Sequence, residues 1–269
     1  MELLIIYLTI FAIGTIFGSF FTLAVYRIPL HQDITHERSY CPNCNHKLSF
    51  LDMIPILSYI FLGGKCRYCK QKIRIRYLLL EILTGIVFLL FAMSINFSII
   101  SFEINKIIYL ILGTLYMAGM IIIAGIDKEK RIIQKSLILY ELAIISIYMM
   151  YLYTVVEANI YRYAIYLFIL LGLMLIDNTY LKKKLKNNYT IEILELSIIM
   201  GIFTGEIVYI STVILTLLTI AIEKIIKSLI QTKNKVVKKE RSYYKNLPFG
   251  FYLVATNIIS LIIINFISM

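Results

Sequence analysis

The sequence predicts an all-α polytopic membrane protein of about eight transmembrane helices, with a small cytoplasmic loop domain between the first two helices. Three observations lead to this prediction. The 269 residues are 60% hydrophobic with a mean hydropathy of +0.82, which is too apolar for a soluble domain whose surface must be covered by polar groups. Long apolar windows recur along the chain, and Lys and Arg are concentrated in alternate connections between them.

The apolar windows define the expected spans. A bilayer core of about 30 Å needs roughly 20 residues of α-helix. Eight windows approach this length: 3–26, 77–95, 106–126, 136–156, 160–176, 191–204, 206–226 and 249–269. The break near Gly205 leaves open whether the sixth and seventh windows form one kinked element. The first window has neither a basic leading region nor a small-residue cleavage signal, so we expect a retained helix.

The positive charges predict the orientation. Four connections hold 25 of the 27 Lys and Arg residues: 27–76, 127–135, 177–190 and 224–248. Because Lys and Arg are retained on the cytoplasmic side, we expect a protein of the cytoplasmic membrane with both termini outside and the large loop inside. The net charge of +11 is then a topology signal with some attraction to anionic lipid of the bilayer, and nucleic-acid binding is not expected.

The longest connection separates three expected parts, which are the first helix at 1–26, a cytoplasmic domain at 27–76 and a membrane-embedded helical domain at 77–269. All four cysteines lie in the second part, in "CPNC" and "CRYC", with the spacing C-x2-C-x21-C-x2-C. Four thiolates at this spacing are typical of a closed tetrahedral zinc site. Two disulfides are disfavoured because the loop is expected in a reducing compartment. The predicted ligands of a structural zinc ion are Cys41, Cys44, Cys66 and Cys69.

Short motifs surround these cysteine pairs. The first helix ends in "GSFFTLAVYRIPL", "LDMIPILSYIF" lies between the pairs, and "RYLLLEILTG" enters the second helix. The segment resembles the amino-terminal part of bacterial type IV prepilin peptidases, which are leader peptidases and N-methyltransferases. "LPFGFYL" near the carboxyl end resembles the I-P-F-G-P that opens the last helix of that family. The landmarks shared with the family are Gly18, Ser19, Phe20, Tyr26, Arg27, Pro29, Asp52, Pro55, Ser58, Tyr59, Arg76, Tyr77, Glu81 and Gly85.

The resemblance implies an intramembrane aspartyl-type endopeptidase with two acids near the cytoplasmic face. One acid activates water and the other polarises the scissile carbonyl, since two neighbouring carboxyls favour a state in which only one is ionised. The first family acid stands in a D-x6-P pattern at the inner end of a helix. Asp127 in "GIDKEKRIIQ" takes this place, with Gln134 where proline is expected. By position alone, Asp127 has a second interpretation as a solvated residue at a helix end.

The second family acid stands in a G-x-G-D motif that precedes a later G-x-F-x-G. The later motif is present in "MGIFTG", and counting back about nine residues leads to "NNYTIEILE". Glu192 lies within one residue of the expected aspartate, but both glycines of the motif are absent and Tyr189 and Thr190 lie nearby. We therefore expect Glu192 to be the second catalytic acid. Two other acids, Asp177 and Glu195, remain alternatives for this role. The absence of any second catalytic acid is a further alternative.

The expected substrates follow from the resemblance. They are prepilin-like or pseudopilin-like membrane proteins with a short basic leader, one long apolar helix and a Gly-Phe type junction. Cleavage after the glycine frees an amino terminus, and the family commonly methylates it with S-adenosylmethionine. No Gly-rich nucleotide fingerprint supports this cofactor independently. The alternative is a catalytically inactive relative that acts as a membrane binding or assembly factor, and it is motivated by the missing G-x-G-D.

Two further acids fall inside predicted spans, where ionisable groups are costly and suggest function by default. Glu81 matches a family position, and we expect it to line the site or to pair with a basic residue. For Glu141 we expect packing or an interhelical hydrogen bond. A small proton-coupled transporter is a remote alternative, because the sequence has no sign of inverted repeats and transport would not explain the cysteine loop.

Overall fold

The computed structural model describes residues 2–98, 103–156, 161–176, 189–233 and 247–268. Within these ranges the regular structure is helical, apart from two isolated β-bridges. The α-helices are α1 (Glu2–Arg27), α2 (Leu57–Phe61), α3 (Arg76–Ser94), α4 (Ile104–Lys130), α5 (Lys135–Thr154), α6 (Tyr161–Ile176), α7 (Tyr189–Thr204), α8 (Glu206–Lys233) and α9 (Phe249–Ile267). Short 3₁₀ turns cover Ile28–Leu30 and Phe50–Asp52. The all-α prediction is confirmed.

Each of the eight predicted windows coincides with a helix. Six of these helices are long and apolar enough to cross a membrane, namely α1, α3, α4, α5, α8 and α9. The other two, α6 and α7, have 16 residues each, which corresponds to about 24 Å at about 1.5 Å per residue. The described chain is therefore a multi-pass membrane protein.

Gly205 separates the sixth and seventh windows into two helices. Its φ of +80° lies in the left-handed region that glycine adopts most readily. α7 ends at Thr204 and α8 begins at Glu206, so the single kinked element that the sequence left open is not formed.

The helices divide into two compact units, and the division falls within α4. One unit comprises Met1–Ala118 with Asn265–Met269, and the other comprises Gly119–Ile264. The first contains α1 to α3 and all four cysteines, whereas the second contains Asp127, Glu192 and Glu195. The three-part division at 1–26, 27–76 and 77–269 stays a prediction.

In the first unit, α1 and α3 pack closely through small residues. Gly14 and Gly18 are four residues apart on α1 and form a G-x-x-x-G face, which allows close helix approach in a bilayer. A Cβ atom added to Gly14 would lie 2.8 Å from the Cα of Gly85, and one added to Gly18 would lie 2.8 Å from the Cα of Glu81. This contact brings Glu81 to the carboxyl-terminal half of α1, which leads into the loop that carries the cysteines.

Arg27, the last residue of α1, anchors the start of that loop. Its guanidinium is buried and donates to the backbone carbonyls of Asp33 at 2.7 Å, Glu37 at 3.0 Å and Arg38 at 3.3 Å. These three donated hydrogen bonds satisfy a charged group that would be costly to bury without partners. The loop therefore leaves the membrane in a fixed direction.

In the second unit, α7 packs against α5, α6 and α8. Buried polar side chains join α8 to α9: the hydroxyls of Thr216 and Thr256 are 2.6 Å apart, and the Asn257 amide donates to the Thr212 hydroxyl at 3.1 Å. Hydrogen bonds of this kind stabilise helix pairs where water is absent. They hold the amino-terminal part of α9 beside α8.

Glu141 lies at a tight contact between α4 and α5. Its side chain is fully buried, and neither carboxyl oxygen has a hydrogen-bond partner among the described residues. Gly119 provides the space for it, because a Cβ atom at that position would overlap Glu141 Oε1. Of the two expected roles for Glu141, the structure shows packing, and the expected interhelical hydrogen bond is not formed.

Candidate active site and metal centre

The first cysteine pair lies on a turn closed by backbone hydrogen bonds. The Cys41 N–H donates to the His46 carbonyl at 3.0 Å, and the Asn45 N–H donates to the Cys41 carbonyl at 2.8 Å. Asn45 has a φ of 55°, which asparagine tolerates better than most residues. A β-bridge between Tyr40 and Lys47 closes the turn.

The second pair repeats this arrangement at the same offsets. The Cys66 N–H donates to the Gln71 carbonyl at 2.8 Å, and the Lys70 N–H donates to the Cys66 carbonyl at 3.0 Å. Lys70 has a φ of 59° and, like Asn45, stands four residues after the first cysteine of its pair. Two equivalent knuckles therefore present the four thiols.

The four thiols have the geometry of a metal site. Their sulfur atoms all lie within 4.8 Å of one another, and the Sγ atoms of Cys41 and Cys69 are 3.8 Å apart. A tetrahedral zinc ion with Zn–S bonds of about 2.3 Å requires sulfur separations of about 3.8 Å. The Gln71 backbone N–H and the Asn43 amide lower the pKa of Cys69 to about 6, which favours the thiolate that a metal needs. The cluster can therefore hold a metal such as zinc.

Asp52 joins the second knuckle to the segment between the two pairs. Its carboxylate accepts hydrogen bonds from Arg67 Nε at 2.6 Å, Tyr68 Oη at 3.2 Å and Ser49 Oγ at 2.7 Å. Burial opposes ionisation, but the bonds from Ser49 and Arg67 outweigh it and lower the pKa of Asp52 to about 2. Arg67 and Tyr68 lie between Cys66 and Cys69, so the Asp52 carboxylate stabilises the turn that carries these two predicted metal ligands.

Glu81 joins the same segment to α3. Its Oε2 accepts a hydrogen bond from the Ile56 N–H at 2.7 Å. Ile56 has φ 62° and ψ −55°, and the Leu57 N–H donates to the Pro55 carbonyl at 2.6 Å. These values describe a strained γ-turn, which is rare for a β-branched residue. Glu81 thus receives a backbone donor where a basic partner was one expectation, and the other expectation, that Glu81 lines the site, stays a prediction.

Asp127 occupies a buried position in the second unit. Its side chain is 0% exposed, and α4 continues past it to Lys130. The carboxyl accepts hydrogen bonds from two other helices: Oδ1 from the Tyr189 hydroxyl and Oδ2 from the Phe251 N–H, both at 2.8 Å. Tyr189 begins α7 and Phe251 lies in the first turn of α9. The interpretation of Asp127 as a solvated helix end is therefore wrong.

Gly250 completes the network around Asp127. Its N–H donates to the Tyr189 hydroxyl oxygen at 3.2 Å. A Cβ atom at Gly250 would lie 3.1 Å from Asp127 Oδ2, so the absence of a side chain at this position lets the start of α9 approach the acid without crowding it. The "LPFGFYL" motif was the sequence signal for this contact, whereas Tyr189 was noted only as a departure from the family motif.

Two of the three candidates for the second acid, Glu192 and Glu195, lie on α7. Glu192 is half-buried and follows Tyr189 by three residues, so both lie on the same side of the helix. Glu195 is buried, and Asp177 lies outside the described residues. The pairing of Asp127 with Glu192 stays a prediction.

Comparison with known families decides the nature of the amino-terminal segment. Residues 12–95 match the family model described as "Bacterial Peptidase A24 N-terminal domain". This segment is similar to an A24-type amino-terminal domain, and residues 12–95 are called the A24-type domain below. It includes most of α1, the whole of α3 and both cysteine pairs, so the predicted resemblance to prepilin peptidases is confirmed.

The A24-type domain also lies within a chain that is similar to curated bacterial proteins named "Prepilin leader peptidase/N-methyltransferase". The protein from Myxococcus xanthus is 43% identical over 79 residues, which are 29% of this chain and 24% of the relative. The protein from Bacillus subtilis is 34% identical over 137 residues, 51% of this chain and 52% of the relative. The one from Klebsiella pneumoniae is 30% identical over 136 residues, 48% of this chain and 56% of the relative.

These alignments span between about a quarter and just over half of the length of the relatives. No solved structure matches the chain. Asp127 lies beyond the A24-type domain, which ends at residue 95.

Proposed function

We propose that this protein is an intramembrane aspartyl-type endopeptidase that removes the leader from type IV prepilin-like or pseudopilin-like proteins. The observation that carries the proposal is the fully buried carboxyl of Asp127, held at the end of α4 by donors from α7 and α9. The A24-type domain and the names of the relatives support the same activity.

The proposed reaction takes place at the cytoplasmic face of the bacterial membrane. The segment 127–135, which begins with Asp127, carries four positive residues, and such segments are retained on the cytoplasmic side. With both termini outside and the cysteine loop inside, the end of α4 reaches the surface where a basic leader would bind. Anionic lipid would attract the basic loops of this protein and the leader alike.

In the proposed mechanism, Asp127 and Glu192 divide the work of hydrolysis. The ionised acid takes a proton from water, and the protonated acid donates to the scissile carbonyl oxygen. The water oxygen bonds to the carbonyl carbon, the C–N bond then breaks, and the released amine takes a proton. A carboxylate offers about four acceptor positions, and two on Asp127 are used by Tyr189 and Phe251. Since Asp127 is buried, the substrate must displace a neighbouring group before water reaches it.

Glu192 is proposed as the second acid because it lies one turn after Tyr189, which contacts Asp127. Its side chain is half-buried and one methylene longer than that of an aspartate, which extends its reach from α7. Glu195 on the same helix and Asp177 before it are the substitutes that the experiment below separates.

We propose that the cysteine cluster holds a structural zinc ion. Four thiolates complete a tetrahedral shell, so zinc would stabilise the two knuckles and take no part in hydrolysis. N-methylation of the new amino terminus, with S-adenosylmethionine as donor, is proposed from the names of the relatives. When bound, S-adenosylmethionine would supply an electrophilic methyl group to that amine.

A second candidate function is an inactive membrane binding or assembly factor. One observation favours it: Asp127 accepts the Phe251 N–H in the first turn of α9, which is how a carboxylate caps a helix N-terminus without any catalysis. On this interpretation Asp127 stabilises the second unit and the A24-type domain binds a partner.

A cleavage assay separates the two functions. The purified full-length protein is placed in lipid vesicles with a prepilin-like substrate that has a Gly-Phe junction. We expect the wild type to cleave after the glycine, Asp127→Asn to lose cleavage at least about 100-fold, and Asp33→Asn, in the exposed loop, to match the wild type. Absence of cleavage by folded wild-type protein would overturn the peptidase and leave the binding factor.

The same assay locates the second acid. Glu192→Gln, Glu195→Gln and Asp177→Asn are compared one at a time, since each change removes an ionisable group and preserves the size of the side chain. Loss of cleavage in Glu192→Gln alone is the expected result. Loss in another variant would transfer the role to that residue.

A further inference from the structure

We infer that Tyr189 is a positioning residue for Asp127, and that its hydroxyl holds the acid in the orientation that hydrolysis requires. The inference rests on the proposed peptidase function. It adds a residue that neither the family resemblance nor the comparisons indicate, because the family motif has glycines in this region.

The carboxyl group of Asp127 is held at both of its oxygens. Its two oxygens are held separately, Oδ2 by the backbone N–H of Phe251 and Oδ1 by the Tyr189 hydroxyl, each at 2.8 Å. One bond alone would allow the carboxyl group to rotate about its terminal torsion, which is a soft one. With both bonds the plane of the carboxyl is fixed, and Tyr189 is the partner that contributes a side chain.

The contacts of Tyr189 also determine the direction of its hydroxyl proton. A backbone N–H can only donate, so the Gly250 N–H at 3.2 Å makes the Tyr189 oxygen an acceptor. The single hydroxyl hydrogen is then available for Asp127 Oδ1. The chain from Gly250 through Tyr189 to Asp127 runs in one direction, and linked hydrogen bonds of this kind strengthen one another.

Tyr189 occupies a position in the sequence where the family pattern has a different residue. It stands three residues before Glu192, where a G-x-G-D pattern aligned on Glu192 would have its first glycine. Glycine has no side-chain donor, so a chain with glycine here could not form this bond. The phenol therefore adds a contact to the acid at the point where this chain departs from the family pattern.

A purely structural role for Tyr189 makes different predictions. Its ring could pack α7 against α4 and α9 without any effect on hydrolysis. Tyr189→Phe keeps the ring and removes only the hydroxyl. If Tyr189 acts through Asp127, this change alters the turnover and its pH dependence while substrate binding is unchanged. If Tyr189 has only a structural role, the cleavage rate falls in proportion to the loss of folded protein and by the same factor at every pH.

The experiment measures kcat, KM, the pH–rate profile and thermal unfolding for the full-length protein in vesicles with the prepilin-like substrate. Tyr209→Phe is the matched control, because Tyr209 is a half-buried tyrosine of the same unit. We expect Tyr189→Phe to lower kcat by roughly 10- to 100-fold with KM unchanged and to change the pH profile. Tyr209→Phe should match the wild type.

Each other outcome is decisive. If the wild type cleaves and Tyr189→Phe retains its kcat and pH profile, the inference is wrong and the peptidase proposal stands. If Tyr189→Phe lowers the cleavage rate by the same factor at all pH values and also lowers thermal stability, Tyr189 has only a structural role and the inference is again wrong. If folded wild type does not cleave, the peptidase proposal is wrong and the inference falls with it.

Discussion

The Glu81 carboxylate on α3 accepts a 2.7 Å hydrogen bond from the backbone N–H of Ile56, in the loop between the two cysteine pairs. A residue inside a membrane helix thereby supports a strained γ-turn outside it. Because Gly18 of α1 lies against the backbone of Glu81, the same point also joins the first two helices. The loop domain and the helix pair are thus expected to lose stability together.

This relationship predicts opposite effects for two substitutions. Glu81→Ala leaves the Ile56 N–H without its acceptor and should destabilise the loop by about 1–3 kcal/mol. Ile56→Gly relieves the strained γ-turn conformation, since a residue held in a sparsely populated backbone region costs on the order of 1–3 kcal/mol. Ile54→Gly is the control, since Ile54 has no positive φ. Limited proteolysis should therefore show more loop cleavage in Ile54→Gly than in Ile56→Gly, and equal cleavage would contradict the strain argument.

Metal removal should loosen the cysteine domain without preventing membrane insertion. We expect about one equivalent of zinc per chain, and a large loss of it in Cys41→Ser and Cys66→Ser, because each change removes one of four ligands. His46→Asn is the control, since His46 stands beside the knuckle but contributes no ligand to the four-sulfur cluster. Metal analysis checks the result. Far less than one equivalent in the wild type, or an equal loss in His46→Asn, would contradict the predicted ligand set.

The Asp52 carboxylate predicts a pH-dependent contribution to loop stability. Its pKa falls from an ordinary value of 3.8 to about 2 on folding, so the stabilisation is fully present above about pH 4 and disappears as the pH falls through 2. The measurement compares unfolding of the wild type and Asp52→Asn across this range. Both proteins keep the same cysteines, so thiol titration cancels in the difference. A difference that stays constant down to pH 2 would show that Asp52 contributes no charge-dependent stability.

Gly250 should tolerate no side chain. Gly250→Ala places a Cβ atom 3.1 Å from Asp127 Oδ2, so the start of α9 must move, at a cost of about 1–3 kcal/mol, and the Phe251 bond to Asp127 should weaken. Gly172→Ala on α6 is the control, because no atom lies within 4 Å of the added Cβ and alanine favours the helix. Thermal unfolding should show a lower midpoint for Gly250→Ala only. A lower midpoint for both variants would indicate a general effect of the substitution.

The features that the sequence predicted depend on short segments of chain. The eight apolar windows became helices because their composition determines burial in lipid, and the cysteine spacing predicted the sulfur cluster because each knuckle is a local turn. Asp127 was identified through its pattern, but the solvated interpretation could not be excluded because burial depends on α7 and α9. The contact with Tyr189 joins residues 62 positions apart, and a tyrosine at a helix start has no distinctive pattern. The γ-turn at Ile56 also could not be predicted from the sequence, since isoleucine rarely adopts a positive φ.

The contact between Gly119 and Glu141 gives a test of packing inside the second unit. Gly119→Ala brings a Cβ atom into overlap with Glu141 Oε1 and to 2.7 Å from the Tyr140 ring, so we expect it to lower stability by about 1–3 kcal/mol. Glu141→Ala alone leaves a cavity between α4 and α5, and this cost is opposed by the removal of a buried carboxyl without a hydrogen-bond partner among the described residues. In the double variant the new methyl group occupies part of that cavity, so the two costs should not add, and a double-mutant cycle measures the difference. Additive losses would show that Glu141 does not fill the space that Gly119 leaves, and that α4 and α5 pack differently at this point.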